Sequence, residues 1–218
     1  NKEDGCYIIK VQKLQSHYYI TLKIFNKNYK IILKEYEDKI ISNLIFVFTF
    51  FIVNKINTNI IIDNIKKLPK IEGRGSIHNV LLNNFKVRLI DQSYNANPET
   101  MIESIKNFSA YKNNNRNKYL ILGNMNELGV SSLDHHIEII KEIEKNFFDQ
   151  VILSGDSFKK ALNMFPELIN KYVYINQSKS IMRYLEKNIH KNAIIMAKCS
   201  NKTEVNNFVK KLKLFKKG

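Results

Sequence analysis

The second half of the chain alternates between short apolar runs and longer segments whose apolar residues recur at helical spacing. Five apolar runs follow Lys86, at residues 87–90, 119–122, 151–153, 172–175 and 193–196. Helical patterns lie between these runs and after the last one. Parallel strands need a crossover connection, which is usually a helix. The alternation therefore predicts an α/β fold over residues 86–218, with a Rossmann-like, mostly parallel sheet flanked by helices.

The first part of the chain follows a different pattern. From Cys6 to Leu33, period-two runs rich in β-branched and aromatic residues predict an antiparallel meander, with a hairpin turn at 26–28. Residues 40–53 predict a buried helix, because this apolar segment is shorter than the roughly 20 residues of a membrane span. A second helix is predicted over 60–68, ended by Pro69. We interpret this part as an incomplete α+β domain.

The pattern changes around Gly73-Arg74-Gly75, where two glycines flank an arginine. This composition predicts a hinge that carries a charge, although a plain surface linker has the same pattern. Three segments are expected: an incomplete α+β portion over 1–72, a hinge and first strand region over 73–85, and the α/β domain over 86–218.

The formal net charge is +15. Because the basic residues are spread along the chain and no nucleic-acid-binding motif is present, we do not expect a nucleic-acid partner; steeply salt-dependent DNA binding would show the opposite. Cys6 and Cys199 give neither a disulfide framework nor a metal-ligand spacing. The histidines form no ligand array, so no metal site is predicted. The N-terminus does not resemble a signal peptide. These features fit a cytoplasmic protein without a membrane span.

The polar turn 91–97 follows the apolar run 87–90 and opens a helix. Asn97 suits the helix N-cap, Pro98 the first helical position, and Glu99 the positive end of the helix dipole. Ligands bind at such strand–loop–helix junctions in α/β folds. The density of Asp, Ser, Tyr and Asn exceeds what capping requires, although a capped turn without a ligand remains the alternative.

Three further loops are predicted at the same sheet edge, at 123–129, 154–156 and 198–201. In the first, glycines flank an exposed carboxylate, Glu127, and His136 lies in the next helix. The sequence contains no GxxxxGK[ST] or GxGxxG segment, so neither of these phosphate-binding loops is expected.

Three motifs, in this order and spacing, resemble the Mur ligase family: Gly73-Arg74-Gly75, Asp91-Gln92-Ser93-Tyr94-Asn95-Ala96-Asn97-Pro98, and Gly123-Asn124-Met125-Asn126-Glu127-Leu128-Gly129 with His136. The similarity is greatest to the members that add D-alanyl-D-alanine. It implies a cytoplasmic, ATP-dependent amide ligase of peptidoglycan synthesis. With ATP and Mg²⁺, such a ligase converts the carboxylate of UDP-N-acetylmuramoyl-tripeptide to an acyl phosphate, which the amine of D-alanyl-D-alanine attacks.

The resemblance also assigns roles to residues. It implies ATP contacts by Asn43, Arg74 and Asp91, substrate contacts by Ser93, Tyr94, Asn95 and Asn97, and further motif positions at Gly123, Asn124, Glu127, His136 and Lys198. No catalytic residue is assigned, because the family's UDP-sugar domain, phosphate loop and carbamylated-lysine segment have no counterpart in this chain. The chain would therefore act as a closing lid together with the missing N-terminal and central ligase domains.

Several positions depart from the family pattern. Gln92 stands where the family has a carboxylate for the nucleotide ribose, and Asn124 replaces another aspartate. Lys39 stands in place of a histidine, and Cys199 and Asn201 in place of a glycine and an arginine. Two alternatives to a ligase therefore remain: a catalytically inactive, degenerate fragment, and a module that binds a dipeptide or a nucleotide without chemistry.

Overall fold

The chain forms two compact units. The computed structural model describes residues 5–33, 38–65, 72–111 and 117–215. One unit comprises residues 1–69 and the other residues 70–218. The first unit has one hydrophobic core, and the second unit has two.

The first unit begins with the predicted antiparallel meander. Its strands are β1 (Cys6–Leu14), β2 (His17–Ile24) and β3 (Lys27–Leu33), in the order β1-β2-β3. The second turn lies at 25–26, because Ile24 pairs with Lys27. Phe25 takes a left-handed backbone conformation, with φ 51°. The predicted turn at 26–28 was wrong because an aromatic residue, which rarely adopts this conformation, stands where Gly or Asn is usual.

Two helices pack with this sheet, α1 (Asp38–Val53) and α2 (Asn59–Ile65). The predicted first helix is confirmed, but the prediction that it is buried is wrong for one face. Phe46, Phe50 and Val53, which we call the α1 stripe, are 72%, 52% and 66% exposed. The predicted end of the second helix lies outside the described residues. Within those residues, no helix is both long and apolar enough to span a bilayer.

The second unit is built on a six-stranded sheet with the order β4-β5-β9-β6-β7-β8. The strands are β4 (Ser76–Leu82), β5 (Phe85–Gln92), β6 (Lys118–Gly123), β7 (Gln150–Ser154), β8 (Val173–Tyr174) and β9 (Ile194–Lys198). β4 forms an antiparallel hairpin with β5, and the other pairs are parallel. The predicted, mostly parallel sheet is confirmed. β8 is shorter than predicted, since only Val173 and Tyr174 pair with β7.

Helices cover both faces of this sheet. They are α3 (Pro98–Ser109), α4 (Ser132–Glu144), α5 (Asp156–Leu162), α6 (Ser178–Asn188) and α7 (Glu204–Leu214). Apolar residues of α3, α4 and α5 share one core, and those of α6 and α7 share the other. The arrangement brings the carboxyl ends of β5, β9, β6 and β7 side by side, and with them the loops that follow these strands.

Candidate functional site

The loop after β5, residues 91–97, is held from within by Asp91. Asp91 is fully buried, and its Oδ1 accepts hydrogen bonds from the Ser93 amide at 3.0 Å and the Ser93 hydroxyl at 2.7 Å. Its Oδ2 lies 3.0 Å from the Lys213 ammonium. The side chain of Gln92 is half-buried, and its Oε1 accepts from the Ser104 hydroxyl at 2.6 Å. The start of the loop therefore directs its carboxylate inward.

Segment 72–75 lies against this loop. The Gly75 amide donates to the Asp91 carbonyl at 2.7 Å, and the Tyr94 amide donates to the Gly73 carbonyl at 3.2 Å. Gly73 has φ 77°, and a Cβ there would lie 2.7 Å from the Tyr94 nitrogen. The Arg74 guanidinium stacks 4.9 Å from the centre of the Tyr94 ring, and both side chains are exposed. The structure thus joins the two predicted motifs into one exposed cation–aromatic pair.

The end of the 91–97 loop joins the loop after β9. The Lys198 ammonium donates to the Asn95 carbonyl at 3.3 Å, and the Ser200 hydroxyl donates to the Ala96 carbonyl at 3.3 Å. Asn97 caps α3 as predicted, since its Oδ1 accepts from the Thr100 amide at 2.8 Å. Of the residues predicted to contact substrate, Tyr94, Asn95 and Asn97 are exposed, whereas Ser93 is buried.

The loop after β6, residues 123–129, is fixed by His136 of α4. His136 is fully buried, and its Nε2 accepts from the Met125 amide at 3.2 Å. Its Nδ1 lies 2.6 Å from the Ser132 carbonyl, to which it donates. Burial lowers the pKa of His136 below its ordinary value. The predicted histidine is therefore a neutral internal support of the loop.

Gly123, Asn124 and Glu127 occupy different positions in this loop. Gly123 allows close packing, because a Cβ there would lie 2.7 Å from the Cβ of Cys199. The Asn124 carbonyl accepts from the Ser200 amide at 3.0 Å, which ties this loop to the one after β9. Glu127 is exposed, in a left-handed conformation with φ 65°.

The Cys199 thiol lies in the loop after β9. Burial raises its pKa to about 12, so it is an inert packing group at neutral pH.

A cleft of about 240 Å³ opens between the loops after β6, β7 and β9. Its lining comprises Asn124, Asn126, Ser154, Gly155, Asp156, Asn176, Lys202, Thr203 and Glu204. The Oδ1 atom of Asn124 is buried and has no hydrogen-bond partner among the described residues. It packs against Gly155, where a Cβ would lie 2.3 Å away.

The cleft carries charges of both signs. Lys202 and Asp156 are exposed, and Thr203 caps the N-terminus of α7 by accepting from the Asn206 amide. Glu204 accepts from the Ser178 amide at 2.7 Å. This hydrogen bond holds the pKa of the Glu204 carboxyl below its ordinary value. The cleft can therefore accommodate a small molecule that bears both a carboxylate and an ammonium group.

Sequence reasoning missed part of this site. Asn176, Lys202, Thr203 and Glu204 were not predicted, although a Thr-Glu pair before an apolar helical pattern is a helix-start signal that could have been used. Lys213 was also missed, because a lysine near a basic C-terminus resembles an ordinary exposed residue. Asn43, predicted to contact ATP, is exposed on α1 of the first unit.

Comparison with known proteins identifies the family. The family model described as Mur ligase, glutamate ligase domain, matches residues 79–201, which is more than half of the 218-residue chain. The chain belongs to the Mur ligase family. No curated protein matches its sequence. The resemblance predicted from the motifs is thus confirmed at the level of the family.

Solved Mur ligases share the fold. MurF from Acinetobacter baumannii has a TM-score of 0.67 and 16% identity, over 96% of this chain and 45% of that chain. MurF ligase from Thermotoga maritima, in complex with ADP, has a TM-score of 0.63 and 16% identity, over 97% and 47%. MurC from Thermotoga maritima has a TM-score of 0.54 and 13% identity, over 94% and 45%. The chain spans less than half the length of these Mur ligases.

Proposed function

We propose that this chain is the C-terminal part of an ATP-dependent ligase that adds D-alanyl-D-alanine to UDP-N-acetylmuramoyl-tripeptide through an acyl phosphate. Family membership and the MurF-like fold support amide ligation. The motif at 91–98 supports the choice of D-alanyl-D-alanine as the amine substrate. The proposal includes a cytoplasmic location, because the reaction consumes ATP and because Cys6 and Cys199 are free thiols.

The cleft is the observation that carries this proposal. A dipeptide is a zwitterion, and the cleft offers a matching group for each end. Lys202 and the N-terminus of α7 suit the dipeptide carboxylate. Asp156 suits the ammonium group, since it is an exposed carboxylate and a hydrogen-bond acceptor. We propose that the amine substrate binds here with its two ends held apart.

Fewer residues of this chain are available for nucleotide contacts than the resemblance implies. The exposed Arg74–Tyr94 pair can donate to a phosphate and stack on a planar ring. Asp91 is engaged internally and Gln92 is a neutral amide bonded to Ser104, so the start of the 91–97 loop presents no free carboxylate to a ribose. In the described residues, no three His, Cys, Asp or Glu side chains cluster as a metal site requires. We propose that Arg74 contacts ATP, and that the remaining ligase domains supply the Mg²⁺ ligands.

The proposal also requires those remaining domains to act with this chain. The α1 stripe supports this requirement. A run of Phe46, Phe50 and Val53 at i, i+4 and i+7 gives a continuous apolar surface along one helix face, and exposed surfaces of this kind mark protein interfaces. Asn43 lies one turn before Phe46 and is exposed as well. We propose that the missing ligase domains cover this face.

Titration of the full chain with D-alanyl-D-alanine, followed by calorimetry, tests the cleft. Lys202 has a left-handed backbone, with φ 58°, so Lys202→Gly removes the charge while relieving backbone strain. We expect it to weaken dipeptide binding about tenfold, which corresponds to ~1.4 kcal/mol. Lys55→Gly is the matched control, because Lys55 is an exposed lysine with φ 56° in the other unit. It should leave the affinity unchanged.

The other outcomes separate the alternatives. Binding of neither D-alanyl-D-alanine nor ATP would favour an inactive, degenerate fragment. If the Lys202→Gly and Lys55→Gly variants bound D-alanyl-D-alanine with equal affinity, the cleft would not be the dipeptide site. Tight DNA binding that weakens steeply with salt would instead favour a nucleic-acid partner.

A further inference from the structure

The carboxylate of Asp91 lies inside the protein yet remains within contact of a cation. Its side chain is 1% exposed, and that of Lys213 is 12% exposed. A carboxylate removed from water is costly unless it is paired and hydrogen-bonded. Here Oδ2 meets the Lys213 ammonium while Oδ1 accepts two hydrogen bonds from Ser93. Both carboxylate oxygens of Asp91 are therefore bonded within the protein, one to Ser93 and the other to Lys213.

Lys213 reaches Asp91 from the last turn of α7, 122 positions away in sequence. Its Nζ also lies 3.2 Å from Glu72 Oε2, so it connects to segment 72–75. Burial alone would lower the pKa of Lys213, but the hydrogen bonds and charges of Asp91 and Glu72 raise it above its ordinary value. Lys213 is therefore a cation at neutral pH.

The same face of α7 makes a second contact with the 91–97 loop. Asn206 lies two turns before Lys213, and its Nδ2 donates to the Ser93 carbonyl at 2.8 Å. Ser93 is thus held on both sides, by Asp91 through its amide and hydroxyl and by Asn206 through its carbonyl. The next two residues, Tyr94 and Asn95, are exposed.

We infer that Lys213 is a positioning residue, which acts through Asp91 to fix the conformation of the 91–97 loop and its contact with segment 72–75. Asp91 is accordingly an internal anchor that contacts no ligand. This inference rests on the proposed function only in taking the exposed part of the loop to face a ligand. Without the ammonium, the Asp91 carboxylate gains by turning toward water, which breaks its hydrogen bonds to Ser93.

Hydrogen exchange of the full chain tests the inference without any ligand. Lys213→Met keeps the length of the side chain and removes the charge, and Lys210→Met is the matched control at an exposed position of the same helix. We expect Lys213→Met to accelerate exchange of the Ser93 and Tyr94 amides at least tenfold relative to the β7 amides. The β7 amides form an internal reference, because a purely global loss of stability would accelerate exchange of the loop amides and of the β7 amides by the same factor.

Two further variants show whether Lys213 acts through Asp91. Lys213→Arg retains the charge and should restore slow exchange of the loop amides. Asp91→Asn alone should accelerate their exchange, because the new amide group would face the ammonium of Lys213. Adding Asp91→Asn to Lys213→Met should recover most of the protection, since the uncompensated charge is gone. Additive effects of the two substitutions would overturn the inference.

Loop amides of Lys213→Met that exchange as slowly as those of Lys210→Met would also overturn the inference. The dipeptide titration is a separate measurement. Fast loop exchange in Lys213→Met, in a chain that binds no D-alanyl-D-alanine, supports the positioning role while contradicting the proposed function. Unchanged loop exchange in a chain that binds the dipeptide does the reverse.

Discussion

Replacing His136 with leucine tests how the 123–129 loop is supported. The leucine retains a buried apolar group but offers no acceptor to the Met125 amide and no donor to the Ser132 carbonyl. A buried N–H left without a partner costs about 1–3 kcal/mol. The ring of His136 also meets that of Phe158 edge-on, at 4.7 Å between centres, which contributes about 0.5–1.5 kcal/mol. We expect His136→Leu to lower the free energy of unfolding by about 2–4 kcal/mol.

Urea denaturation followed by far-UV circular dichroism measures this loss, with hydrogen exchange of β6 and β7 assigning it to the second unit. His135→Leu is the matched control. His135 is the adjacent residue, its side chain is 35% exposed, and it pairs with Glu138 at the surface. Such a pair contributes about 0.2–1 kcal/mol. If the two variants lost equal stability, the support assigned to His136 would be refuted.

Three other predictions concern the same unit. Burial lowers the pKa of His136 below its ordinary value of 6.5, so the unfolded chain takes up the proton at a higher pH than the folded chain does. The free energy of unfolding therefore falls as the pH drops below about 6.5. His136→Leu should reduce this acid sensitivity, which urea denaturation at several pH values measures. Gly73→Ala should lower the free energy of unfolding more than Gly75→Ala does. Both glycines have positive φ, but a Cβ at Gly73 would meet Tyr94, whereas one at Gly75 would meet nothing within 4 Å. Equal losses of stability would contradict the packing of Gly73 against Tyr94. Asn97→Ala should lower the free energy of unfolding by about 0.5–2 kcal/mol through loss of the α3 cap, and Asn97→Asp should restore most of it.

Local patterns in the sequence predicted the elements of the second unit. The strands and helices were predicted because buried strands and helix faces leave short, regular patterns. The cap of α3 was predicted from Asn97 and Pro98 alone. The β4–β5 hairpin was not predicted in detail, because its turn is Asn83-Asn84, with φ 48° and 62°, and β4 mixes polar and apolar residues. The position of β9 between β5 and β6 depends on packing over the whole sheet.

The candidate site was only partly accessible from the sequence. The loops that form it were predicted to share one edge, and the structure brings them together. The burial of Asp91 and Ser93 was not predictable, because Lys213 and Asn206, which contact them, are more than 100 positions away. The apolar α1 segment gave the helix but not its exposure, because a helix that is apolar on all sides indicates burial without indicating what covers it.

The central claim is that this chain supplies the C-terminal part of a D-alanyl-D-alanine-adding ligase. The most direct test mixes it with the remaining ligase domains, or uses the complete ligase that contains it, and measures amide product and ADP with UDP-N-acetylmuramoyl-tripeptide, D-alanyl-D-alanine, ATP and Mg²⁺. We predict that the product forms only when all domains are present, and that the isolated chain releases no phosphate. Robust turnover by the isolated chain, or an assembled complex that releases ADP with no dependence on D-alanyl-D-alanine, would contradict the claim.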